Sequence, residues 1–96
     1  MKEFYSLEIR FKEFKTIENC SFAMSKLTLF VENNFLNSKV IPTFVNINNN
    51  EGVLVFNFSN QKNISKIINK IKEFLEILKE EYEIKNIEFK EIKSDL

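Results

Sequence analysis

Histidine and tryptophan are absent from these 96 residues, and cysteine, glycine and proline occur once each. With no imidazole and a single thiol at Cys20, the chain has no set of soft ligands for a structural zinc site, an iron–sulfur cluster or a haem. The same lack removes Ser–His and Cys–His pairs, because no group titrating near neutrality stands ready to take a nucleophile's proton. The lone Gly52 rules out glycine-rich phosphate loops, which need several glycines for close backbone approach. Asp95 is the only aspartate and lies in a polar tail, while the glutamates are scattered over charged stretches, which speaks against a paired-carboxylate hydrolase. The expectation is a protein that is not an enzyme and carries no cofactor and no metal.

No apolar run approaches the roughly 18 residues of a membrane span, the longest clean one being Val53 to Phe56. The start, Met1-Lys2-Glu3-Phe4-Tyr5, has an early acid and no apolar segment, so no secretory signal is expected there. One unpaired cysteine suits a reducing compartment, and the expected location is cytoplasmic, with no membrane partner. Fourteen basic residues balance fourteen acidic ones, which removes any argument from bulk charge for nucleic acid or an anionic surface.

Apolar residues make up 44% and charged residues 29%, enough to bury a core, and the length suits one domain over 1–96. Tyr5, Leu7, Ile9 and Phe11 alternate with Ser6, Glu8, Arg10 and Lys12, which predicts a half-buried strand over about 3–14. The period then changes. Cys20, Ala23, Leu27, Phe30, Val31 and Phe35 share a helical face, predicting a helix over about 20–37 that starts near Thr16 or Ser21 and closes at Asn37-Ser38. Two alternating, β-branched and aromatic stretches over about 40–48 and 52–58 flank an Asn-rich turn and form a hairpin. Ile64, Ile67, Ile68, Ile71, Leu75, Leu78 and Tyr82 recur at three and four, giving a helix over about 60–82 with Ser59 or Asn60 as cap. A last strand covers about 84–92.

The order strand, helix, strand, strand, helix, strand favours two interlocked βαβ units. It resembles the ferredoxin-like fold, which implies an α+β domain with a four-stranded antiparallel sheet, strand order 4-1-3-2, and both helices on one face. RNA-recognition motifs share this topology and stack bases on aromatics of the third strand. Glu51-Gly52-Val53-Leu54-Val55-Phe56-Asn57-Phe58 matches the spacing of their octapeptide but has Glu51 at the basic position and Val53 and Val55 at the stacking positions. Acylphosphatases would need an arginine in a loop after the first strand, whereas Arg10 lies inside it. Copper chaperones would need paired cysteines.

Two surface features exceed what a bland domain requires. Taking Leu54, Phe56 and Phe58 inward leaves Val53 and Val55 on the outer sheet face, and taking Ile41, Val45 and Ile47 inward leaves Val40, Pro42 and Phe44 there, an apolar patch fit for a homodimer or a protein partner; a hairpin twisted enough to bury both faces, or a parity one residue off, would remove it. On the second helix Lys62, Lys66, Lys70 and Lys72 precede Glu73, Glu76, Glu80, Glu81 and Glu83, which opposes the helix dipole. Either free use of Lys and Glu or a binding role accounts for that order. Cys20 is read as a small core residue, with an activated thiolate near a helix start as the alternative.

The leading expectation is a protein-interaction module acting through Phe44, Val53 and Val55. The acidic Glu76, Glu80, Glu81 and Glu83 are placed to block a nucleic-acid channel, as a phage-encoded inhibitor of host defence of the anti-CRISPR kind would. The alternative is an RNA or DNA binder using Lys62, Lys66 and Lys70.

Overall fold

The computed structural model describes residues 3–34, 40–47, 50–59 and 64–95 and, within them, all side chains except those at 3–4, 40–46, 59, 64 and 93–95. The long alternating stretch at the start becomes β1 (Glu3–Phe14), followed by α1 (Ile17–Asn34), β2 (Val40–Ile47), β3 (Glu51–Ser59), α2 (Ile64–Glu81) and β4 (Ile84–Asp95). Neighbouring strands pair antiparallel in the order β2-β3-β1-β4. Strands β3, β1 and β4 carry the described core of the sheet. Leu7 lies opposite Phe56 and Ile9 opposite Leu54 on β3, while Ile9 and Phe11 lie opposite Phe89 and Ile87 on β4. Because directly opposed residues share a face, these side chains form one apolar layer.

Both helices cover that layer. Cys20, Ala23, Met24, Leu27 and Val31 of α1 and Ile67, Ile68, Ile71, Leu75 and Leu78 of α2 join Leu7, Ile9, Phe11, Leu54, Phe56 and Phe58 in a single core. Glu13 sits in the left-handed region (φ 56°) and breaks the alternation of β1. Phe14 and its partner Ile84 therefore turn back to the core, Ile84 being buried.

The expectation of a regularly alternating sheet needs correction at β2. Phe44 pairs with Leu54, but Asn46 pairs with Val53, so one extra residue is inserted between Phe44 and Asn46. The alternation of Ile41, Val45 and Ile47 crosses this irregularity, which overturns the basis on which Phe44 was assigned to the outer face. The Phe44 side chain itself lies outside the described residues.

Element ends also move. Of the two expected starts of α1, Thr16 is the one used, so the helix begins at Ile17: the Thr16 Oγ1 accepts from the Asn19 N–H at 3.0 Å and its carbonyl from the Cys20 N–H at 3.2 Å. The predicted closure at Asn37-Ser38 and the Asn60 cap lie outside the described residues, as does the Ser59 side chain. Strand β4 continues to Asp95, past the expected end at 92. Helix α2 ends at Glu81, Tyr82 donates its N–H to the Leu78 carbonyl at 2.9 Å, and Glu83 follows with φ 53°. That position favours glycine. Glu83→Gly is expected to raise stability by about 0.5–1 kcal/mol, seen as a melting temperature higher by about 3–6 °C, since the exposed Lys15–Glu83 pair it removes contributes little.

Candidate protein-interaction surface

The outer sheet face is an ion-paired layer. Arg10 donates to Glu8 at 3.0 Å and also to Glu51, Lys12 reaches Glu88 at 3.0 Å, and the Ser6 hydroxyl donates to Asn57 at 2.7 Å. The two carboxylates hold the Arg10 guanidinium charged further above its already high range, the bond from Glu8 being the larger cause. Val53 is only 6% exposed, which corrects its expected place on an open apolar patch. It lies on an interior strand between Arg10 of β1 and Asn46 of β2, and Arg10 is drawn along that face by its two carboxylates. Val55 is half-buried, opposite Glu8. At the two positions where an RNA-recognition motif stacks bases, this chain has those two valines among acids.

The acidic end of α2 does not form one patch. Glu81 pairs with Lys26 of α1 at 3.1 Å, Glu83 with Lys15 at 3.4 Å and Glu76 with Lys79 at 3.9 Å. Helical spacing separates them: Glu76 borders a hollow against Ile87 and Phe89 of β4, Glu81 faces α1, and Glu83 lies past the helix end. Glu80 is exposed, with no ion pair among the described residues. Lys66 and Lys70 are exposed one turn apart on α2, Lys72 lies 5.1 Å from the Phe89 ring centre, and Lys62 lies outside the described residues.

The most exposed apolar side chains are on the helices instead, Ile92 of β4 being open to a lesser degree. Phe22 is 58% exposed, Leu29 56% and Ile77 56%. Between the two helices the half-buried rings of Phe30 and Phe74 stack with centroids 4.2 Å apart and planes 6° from parallel, beside a groove of about 270 Å³ that Ile77 and Lys70 border. At one end of the layer Phe22 faces Tyr82 with ring centres 6.4 Å apart. Lys26 lies 5.6 Å from the centre of the same ring, and Tyr82 and Glu81 together raise the Lys26 pKa. These contacts clamp the helices together and leave Phe22, Leu29 and Ile77 pointing away from the core.

Phe22 and Leu29 were legible in the sequence and passed over. Helix α1 carries apolar residues around much of its circumference, with Ile17, Phe22 and Leu29 off the stripe that meets the core, and a helix apolar on more than one side needs more than one neighbour. A larger hollow of about 530 Å³ lies where β1 and β4 meet the end of α2, but Glu13 and Glu83 face Lys15, Lys79 and Lys85 there, and the mixed charges converge on nothing. Among the described residues no three acidic or thiol side chains gather closely enough to hold a metal ion, and no helix is long and apolar enough to cross a membrane.

Cys20 is a core residue. It is fully buried against Met24, Sγ to Sδ 3.7 Å, and burial pushes its thiol up to about 11 from an ordinary value of 9.0. An unfolded chain ionises first, so this contribution to stability is complete below pH 9 and is lost as pH rises toward 11. Denaturant titrations should show the wild type losing about 1 kcal/mol per pH unit more than Cys20→Ala across that window; equal slopes would contradict the burial.

No family model matches this chain, and no curated protein matches it. Solved structures do. The designed protein Foldit4 superposes with a TM-score of 0.69 at 12% identity over 100% of this chain and 99% of its own. A designed protein described as having a ferredoxin fold, LFR1 1, gives 0.50 at 13% identity over 100% and 87%. AtUAH, solved in complex with glyoxylate, gives 0.69 at 18% identity over 97% of this chain and 28% of its own. The fold is ferredoxin-like. This chain spans little more than a quarter of AtUAH, and the likeness at such identities is one of fold alone.

Proposed function

We propose that this chain is a non-enzymatic protein-interaction module whose binding surface is the outer side of the α1–α2 layer. What carries the reading is the set Phe22, Leu29 and Ile77, three large apolar side chains each more than half exposed on one side of the domain. Clustered exposed apolar residues mark interfaces, and aromatic residues dominate their energetics. The sheet face, expected to serve this role, is occupied by its own ion pairs. A phage-type inhibitor of a host defence complex is one kind of protein such a surface suits, because steric cover requires an adhesive face and no chemistry.

A tagged chain incubated in native lysate with nuclease, with an untagged copy added, tests this. The expected result is a stoichiometric protein, whether the untagged copy or another, that survives high salt and is lost with Phe22→Asp while circular dichroism is unchanged. Retention by Phe22→Asp, or recovery of nucleic acid alone that salt releases, overturns the reading, the latter in favour of Lys66 and Lys70 on phosphates.

A further inference from the structure

Lys66, Lys70, Glu73, Ile77 and Glu80 are all exposed and follow one another along α2 at spacings of four, three, four and three, so they form a single stripe. No ion pair within the described residues engages any of the four charged members. The sheet face differs sharply, since Arg10 and Lys12 both have carboxylates in contact. The stripe is basic at one end, acidic at the other and apolar next to the acidic end.

The two ends of such a stripe, Lys66 and Glu80, are complementary to each other when it is reversed. Turning a second α2 antiparallel about Glu73 sets Lys66 opposite Glu80 and Lys70 level with Glu76, one residue short of Ile77, with the two Glu73 carboxylates near the axis flanked by Lys70 from each copy. A two-fold axis repeats every contact, as an isologous dimer requires. Leu29 and Phe22 of α1 flank this seam on the same outer layer, and the zero net charge of the chain presents no overall repulsion to association. The segregation of Lys from Glu, unfavourable toward the dipole of its own helix, becomes favourable toward a reversed neighbour.

We infer that the occupant of the α1–α2 surface is a second copy of this chain, docked about a two-fold axis with the two α2 helices antiparallel. This rests on the interaction reading above and names its partner. Sedimentation of the full chain over a range of concentrations should show a monomer–dimer equilibrium. Leu29→Asp/Ile77→Asp should weaken it at least about tenfold. Lys66→Glu and Glu80→Lys should each weaken self-association, and an equimolar mixture of the two should restore it, because each copy then supplies the charge its partner lacks. All these positions are exposed, and circular dichroism confirms that each variant folds.

A monomer at every concentration overturns the second copy, as does a dimer that none of these substitutions disturbs. In either case loss of a different lysate protein on Phe22→Asp would leave the interaction reading standing. Absence of any captured protein would remove both.

Discussion

Phe11→Ala is expected to lower the unfolding free energy by about 3–5 kcal/mol. Phe11 is fully buried towards the end of β1, opposite Gly52 on β3 and Ile87 on β4, so truncation leaves a cavity bounded by strands on both sides. Small domains have only about 5–15 kcal/mol in total, and this one is at the short end of domain lengths. Urea titration should therefore move the midpoint to a fraction of its wild-type value with the slope retained. A loss below about 1 kcal/mol would mean that the neighbouring side chains close over the site.

Gly52→Ala is the second large effect, and its cause is close approach rather than backbone conformation, since the Gly52 φ is not positive. A Cβ at this position would lie 2.6 Å from Cys20 Sγ and 2.8 Å from Met24 Sδ. Both side chains come from α1, so the glycine is what lets that helix settle on β3. Overpacking of this kind costs about 1–3 kcal/mol. The companion change Cys20→Ala removes the nearer atom, and Gly52→Ala/Cys20→Ala should recover part of the loss. A double variant as unstable as the sum of the singles would show that Met24 or the backbone sets the spacing.

Gly52 also shows how a motif and a packing need coincide. Its match to the second position of an RNA-binding octapeptide is explained by the sulfur atoms above it. Of the fold, the strands and helices were readable wherever periodicity was long: β1 from Tyr5 to Lys12, α2 from Ile67 to Leu78. Thr16 stood in the sequence as one of two helix starts and its hydroxyl decides between them, whereas the left-handed residues Glu13 and Glu83 have no sequence mark, since glycine is what such positions usually announce. Of the candidate site, Val53 is buried and the basis for placing Phe44 falls away, for two different reasons. Alternation carries phase only along an unbroken ladder, and the extra residue after Phe44 breaks it. Alternation also says nothing of what crosses over a residue from the next strand, and Val53 is buried beside an arginine whose partners are 2 and 41 residues away in sequence. The exposed apolar positions on α1 follow from counting how many sides of a helix a single sheet can cover.

The pairing of β1 with β4 sets the order in which the chain can mature. The ladder joins Glu3 to Asp95 at one end and Phe14 to Ile84 at the other, so the central strand waits until β4 has been synthesised. Until then β1 has β3 on one flank and an open edge on the other, the state most exposed to pairing with a stranger. Contacts of such long sequence separation close slowly. Because Glu3 and Asp95 are neighbours, force applied between these two residues opens this ladder one residue pair at a time, like a zip, and does not slide the strands past each other.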